Sequence, residues 1–246
     1  MKELFENEIY GWLPGISRHR IYQMTPLPSA RHILLASFAI VSSLAVQPVE
    51  QGFTPLFNGR NLDGWVYGAR GGAENRTGKG YQVENGVIFS TADDGGNLYT
   101  AKEYADFVFR FEFRLSENAN NGIGIRAPLA GDAAYAGIEI QVLDDGGSKY
   151  TTLKPFQYHG SVYGVVAAKR GFQKPVGEWN SEEITAQGRR IKVVLNGTTI
   201  VDANLDDVKD EAVIKAHPGL ANTKGHIGLL GHGTRVEFRN LRIKEL

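Results

Sequence analysis

The stretch Phe107 to Leu115, FVFRFEFRL, constrains the fold more than any other part of the chain. Phe107, Phe109, Phe111, Phe113 and Leu115 alternate with Val108, Arg110, Glu112 and Arg114. A period of two is that of a β-strand, whose successive side chains point to opposite faces of a sheet. Burying a large apolar side chain stabilises by about 1.5–3 kcal/mol, so this one face contributes on the order of 10 kcal/mol before chain entropy is subtracted. A lone sheet would leave those rings in water, so a second sheet must cover them.

The remaining segments fit that demand. Gly80 to Ser90 and Arg189 to Ala203 each carry a central Asn-Gly, at Asn85-Gly86 and Asn196-Gly197, the dipeptide that best suits a two-residue hairpin turn. Gly122 to Arg126, Gly225 to Leu230 and Thr234 to Lys244 are further expected strands. Helix is expected only around Asp207 to Ala216, with a turn near Lys102 to Tyr104. Many short strands, 30 glycines and no strand–helix alternation predict an all-β antiparallel two-sheet sandwich with few short helices. The formal charge is zero, with no run of one sign, which gives no electrostatic handle for a nucleic-acid partner. The absence of cysteine removes disulfides, thiolate zinc ligands and thiol catalysis.

The first part of the chain differs. From Met24 to Ala45 the order is basic residues at Arg31 and His32, an apolar run from Ile33, then small residues at Ser43 and Ala45, the pattern of a cleaved secretory signal peptide. The run is short for a membrane span, so no stable membrane insertion is expected after cleavage. Residues 1–23 are expected to be an over-long start or a disordered extension, 46–52 a short linker, and 53–246 one folded domain.

Within that domain Tyr135 to Asp145, YAGIEIQVLDD, places Ile138, Ile140 and Val142 on one strand face and Glu139, Gln141 and Leu143 on the other, followed by Asp144 and Asp145. An acid and an amide thus share a face. Asp144 is out of phase with Glu139 unless a bulge intervenes.

Several segments resemble the 3-keto-disaccharide hydrolase family. They are FTPLFNGRNLDGW at Phe53 to Trp65, YQVENG at Tyr81 to Gly86, Asp106 to Leu115, NNGI at Asn120 to Ile123, and EIQVLD at Glu139 to Asp144. GEWN at Gly177 to Asn180, VLNG at Val194 to Gly197, and His232-Gly233 followed by FRN at Phe238 to Asn240 continue the series in order. The resemblance implies a concanavalin-A-like jelly roll with one sheet curved around a carbohydrate groove, export from a bacterial cell, and action on glycosides whose C3 hydroxyl has been oxidised to a ketone. One departure is visible: Leu230 and Gly231 stand where many relatives carry Gln-Asp, which removes an acid expected beside His232.

A ketone at C3 acidifies the C2 hydrogen, so a base can take it, the aglycone can leave from C1, and water can add to the enone. Glu139, His159 and His232 are the candidate catalytic residues. Arg126, Gln141, Asp144, Tyr163, Lys169 and Trp179 are the candidates for substrate contact, Trp179 as a stacking platform, while Trp65 is expected in the core. Each has a plainer alternative as a solvated strand residue, a turn histidine or a salt-bridge partner. No metal-ligand spacing occurs, so no cofactor is implied, although a calcium or zinc site assembled from separate strands stays open. The expected partner is an oligosaccharide or glycoside. Two other functions remain: a non-catalytic carbohydrate-binding module, and a conventional jelly-roll β-glucanase. For the last, Glu-x-Gln-x-x-Asp resembles the glucanase Glu-x-Asp-x-x-Glu but has an amide for the central acid.

Overall fold

A computed structural model describes residues 50–68, 80–91 and 96–246. The expected leader and the start of the linker lie outside them. The strands are β1 (Thr54–Pro55), β2 (Trp65–Gly68), β3 (Tyr81–Glu84), β4 (Val87–Ser90), β5 (Asn97–Tyr104), β6 (Phe107–Leu115) and β7 (Asn120–Ala127). They continue as β8 (Ile138–Leu143), β9 (Trp179–Gln187), β10 (Arg190–Leu195), β11 (Thr198–Asn204), β12 (Gly225–Leu230) and β13 (Val236–Glu245). Two short helices, α1 (Ala133–Ala136) and α2 (Glu211–Ala216), and a few 3-10 turns complete the described chain. The expected helix is therefore real but shorter. The turn expected near Lys102 to Tyr104 is instead the end of strand β5.

Among the described residues the strands form two antiparallel sheets. One has eight strands in the order β11-β10-β9-β6-β13-β4-β3, with β1 also on β13; the other has five, β2-β5-β12-β7-β8. This is the antiparallel two-sheet sandwich expected from the alternation, in the jelly-roll form that the resemblance implies. The phenylalanines of β6 are buried and pack with Ile123, Ile125, Ile138, Ile140, Val142, Ile227 and Leu229 of the facing sheet in one core. Trp65 joins that core, and its indole N–H donates to the Leu56 carbonyl oxygen at 2.7 Å. Both Asn-Gly turns have positive φ at each central residue, 50° and 78° at Asn85-Gly86, 49° and 85° at Asn196-Gly197. That left-handed pair matches the twist of the flanking strands.

The two sheets differ in their outer faces. Across the eight-stranded sheet Arg110 pairs with Glu183 and Glu50, Arg114 with Glu237, and Arg239 with Glu112, a ladder of opposite charges in water. The outer face of the five-stranded sheet is mostly enclosed, and its edge strand β8 is covered. Ile140 bridges to Val162, the Tyr163 N–H donates to the Glu139 carbonyl at 2.9 Å, and Gly160 N–H donates to the Gln141 carbonyl at 2.7 Å. The same strap goes on to the other sheet, where Lys169 N–H donates to the Ile200 carbonyl on β11 at 3.0 Å. One segment thus satisfies the edges of both sheets, which would otherwise template aggregation. Among the described residues no helix is long and apolar enough to cross a membrane.

Candidate functional site

The register of β7 and β8 runs from Asn120↔Leu143 to Ile125↔Ile138 without a shift, so side chains alternate strictly along β8. Ile138, Ile140 and Val142 enter the core, and Glu139 and Gln141 point to the outer face. Glu139 is only 5% exposed there. Its carboxylate lies flat over Gly122 on the next strand: a Cβ at Gly122 would come 2.0 Å from Oε1. The space above Gly122 is filled by Glu139 itself. That above Gly124 is filled by Leu230 and the Cβ of Ala133, 3.3 and 3.5 Å from where a Cβ would stand.

Tyr99 of β5 lies beside this acid. Its ring spans Gly228 and Gly68, again positions where a Cβ would collide with it. Its hydroxyl accepts from Asn97 Nδ2 at 3.1 Å, leaving its own proton to donate elsewhere. Burial pushes the phenol up to about 12, and the nearby charges of Asp132 and Glu139 push the same way. Tyr99 is therefore a neutral phenol throughout the physiological range.

Around Glu139 three elements form the surround. The strap runs antiparallel to β8, so the Ile140–Val162 pairing sets Tyr163 opposite Glu139. The Tyr163 hydroxyl accepts from Gln157 Nε2 at 3.1 Å, and the Gln157 carbonyl accepts from Gln141 Nε2 at 3.4 Å. Gln141 thus braces the strap that carries Tyr163, and its Oε1 is buried without a hydrogen-bond partner. At one end α1 is capped by Asp132, whose Oδ1 accepts from Ala134 N–H at 3.2 Å, and it sets Ala133 over Gly124. At the other end the turn bearing His232 is held by Thr234, whose hydroxyl both accepts from and donates to the Asn120 backbone at 2.8 and 2.9 Å. His232 is partly buried in that turn, just beyond Leu230.

The other candidates go elsewhere. His159 is a core residue, its ring tilted against Phe113 with centroids 5.0 Å apart and its Nε2 3.0 Å from Glu182 Oε2 on β9, between the sheets, a close contact without hydrogen-bond geometry. Leu143 N–H donates to its Nδ1 at 3.4 Å. Arg126 is buried with a φ of 49°, and its guanidinium donates to Ala105 O, Gly188 O and Asp106 Oδ1 at 3.0, 2.8 and 2.8 Å. Those donors are spent on the chain itself. Asp144 lacks the bulge it needs: its Oδ2 accepts from Asn118 N–H at 2.8 Å and its Oδ1 from Gly146 N–H at 3.1 Å, which shapes the turn after β8. Lys169 is exposed at the edge of the eight-stranded sheet, beside β11. Trp179 lies on that sheet's charged outer face, between the guanidinium groups of Arg239 and Arg114 at 4.0 and 4.8 Å from its ring centre. An open cleft of about 810 Å³ near Asp144, Asp145, Arg170 and Lys174 is distinct from the Glu139 face, and its turn acids are already engaged. Among the described residues no three His, Asp or Glu side chains converge as a metal ion would require. The calcium or zinc expectation therefore finds no ligand set there.

Residues 52–244 match the model of a family described as the 3-keto-alpha-glucoside-1,2-lyase-like domain. The chain belongs to that family. It is 24% identical over 245 aligned residues to a 3-keto-disaccharide hydrolase of Bacteroides thetaiotaomicron, covering 85% of this chain and 83% of the relative. Two crystal structures of candidate glycosyl hydrolases from Parabacteroides distasonis are 26% identical and cover 79% of this chain. They superpose with TM-scores of 0.63 and 0.66 and are themselves covered over 99% and 94% of their lengths. The protein is thus a carbohydrate-active enzyme of the glycoside hydrolase type.

For a lyase-like family member the arrangement around Glu139 is chemically apt. A carboxylate can accept a proton, and a neutral phenol beside it can donate to an oxygen that gains charge. The sequence pattern singled out Glu139, Gln141 and Tyr163, which the structure brings together, but not Tyr99 beside them. The signal lay in NLYTAKEY, where Leu98 enters the core while Asn97 and Tyr99 alternate to the outer face, but the charged end of the segment disguises a strand.

Proposed function

We propose that the protein cleaves 3-keto-glycosides on the outer face of the five-stranded sheet, with Glu139 as the base. Glu139 takes the C2 hydrogen as a proton, and the C2–H electron pair passes to the ketone as an enolate. The enolate collapses to a C1=C2 double bond as the C1–O bond breaks, and the aglycone oxygen leaves with a proton from a neighbouring acid. Water then adds, hydroxyl to C1 and hydrogen to C2, to complete hydrolysis. Tyr99, Tyr163 and His232 are the groups at this face suited to donate to the ketone or to the leaving oxygen. The observation that carries the reading is the enclosed carboxylate of Glu139 on Gly122, in a chain whose family is named for 3-keto-glucosides. A double-displacement glycosidase needs two carboxyl groups about 5 Å apart, whereas the next position on the Glu139 face is Gln141 and Asp144 is tied into its turn.

The test is to incubate the protein with a 3-keto-disaccharide, its unoxidised parent and a β-glucan. Turnover of the first alone is expected. Cleavage of the glucan, or binding without turnover of any, contradicts the reading in favour of a glucanase or a lectin. Export, with cleavage after Ala45, is part of the same proposal and rests on the leader pattern from Met24. The intact mass of the secreted protein checks it, and a mature start well before Gln47 would sink it.

A further inference from the structure

We propose that Tyr135 and His217 form the platform of a second sugar subsite, which holds the aglycone ring of the substrate while Glu139 acts on the keto ring. The proposal rests on the reading of the Glu139 face as glycoside-cleaving. Tyr135 belongs to α1, four residues before Glu139, and is 43% exposed. Its ring lies 5.0 Å from that of His217, with 32° between their planes. An aromatic side chain that serves packing alone is buried; this one rests partly on a second ring and stays open to solvent.

His217 is held firmly. Its Nδ1 lies 3.0 Å from the Ala134 carbonyl oxygen, which can only accept, so Nδ1 carries the proton and Nε2 keeps a lone pair. The Cε1 and Nε2 edge faces Gly164, where a Cβ would stand 2.6 Å from either atom. Only the missing side chain lets the ring approach. Gly164 follows Tyr163, whose N–H donates to the Glu139 carbonyl. Tyr135, His217, Gly164, Tyr163 and Glu139 therefore form one unbroken series of contacts and chain links. The platform is fixed from below as well, since Asn222 Nδ2 donates to the Ala136 and Arg126 carbonyl oxygens at 2.8 and 3.0 Å.

A pyranose ring presents an apolar C–H face to an aromatic ring and hydroxyls at its rim. Tyr135 supplies the first contact, and the buried ring of His217 holds it from behind. The bond broken joins the keto ring to the aglycone, so the ring next to the keto sugar must meet whatever borders Glu139. Tyr135, backed by the buried ring of His217, is an exposed aromatic group four residues from Glu139.

The experiment compares the full-length protein with Tyr135→Ala and Tyr135→Phe on a 3-keto-disaccharide and on the methyl 3-keto-glycoside of the same sugar and anomer. Tyr135→Ala is expected to lower kcat/KM about tenfold for the disaccharide, mainly through KM, and to leave the methyl glycoside within about twofold, while Tyr135→Phe stays close to wild type. Equal loss on both substrates, or none on the disaccharide, overturns the subsite. If the wild type turns over neither substrate, the lyase reading fails on its own. Calorimetric titration with the unoxidised disaccharide then decides the subsite separately: weaker binding by Tyr135→Ala supports it, and unchanged or absent binding overturns it.

Discussion

Glu139 owes its position to a missing side chain. Its carboxylate occupies the place where a Cβ at Gly122 would stand, so the two residues work as a unit although they lie on different strands. Gly122→Ala is expected to push the carboxylate aside and lower kcat about 10²-fold, because a shift near 1 Å at a catalytic group costs that much. The melting temperature, followed by circular dichroism, should fall by only a few degrees. A fully active Gly122→Ala protein would show that the close contact is irrelevant to turnover. At this scale the sequence was informative where periodicity alone decides the outcome. Alternation sends Glu139 and Gln141 to one face and Ile138 and Ile140 to the other, and the structure agrees. It was silent where a partner comes from far along the chain. Nothing near Arg126 foretells that the carbonyls of Ala105 and Gly188 will consume its guanidinium, and nothing near Asp144 foretells its bond to Asn118.

Among the elements, the strap from Pro155 to Arg170 does most to shape the site, and it is the one the sequence least reveals. It has no regular periodicity, because its backbone bonds are shared between β8 and β11. Strand β9 was hidden for a related reason. Its inward face carries Asn180 and Glu182 before Ile184 and Ala186, so the apolar alternation that betrays β6 is broken. Glu182 and His159 anchor the strap to that strand inside the sandwich. His159→Ala would leave Glu182 buried without its polar neighbour and is expected to destabilise the protein by about 1–3 kcal/mol. The double variant with Glu182→Leu should recover most of that loss, since an apolar residue of similar volume carries no desolvation cost. Urea denaturation of the two single variants and the double variant measures the coupling. Additive effects would mean that the pair is not the anchor.

The described residues form one face of paired charges and one enclosed face, and the enclosed face is where we propose the chemistry. Burial on and near that side raises the phenols of both Tyr99 and Tyr81. An unfolded chain releases a tyrosine proton near pH 10, whereas folded Tyr99 keeps it to about 12. Between those values the unfolded state binds fewer protons, so stability is complete below about pH 10 and falls as pH rises above it. Urea midpoints measured from pH 8 to pH 11 should show this decline, and Tyr99→Phe should make it shallower. An unchanged slope in the variant would contradict the burial of that hydroxyl. The two-sheet architecture was legible because one strand, FVFRFEFRL, demands a cover, and the Asn-Gly turns fix where the chain reverses. The composition of the proposed site was legible only in part, since Tyr99, Tyr135 and His217 take their places by packing between segments that look ordinary one at a time. Whether Glu139 removes the C2 proton is tested most directly by turnover of a 3-keto-disaccharide in deuterium oxide, comparing wild type with Glu139→Gln. The wild type should yield a sugar product carrying deuterium at C2, and Glu139→Gln, while folded, should yield neither product nor exchange. Product without deuterium at C2 from the wild type, or undiminished turnover by Glu139→Gln, would contradict the account.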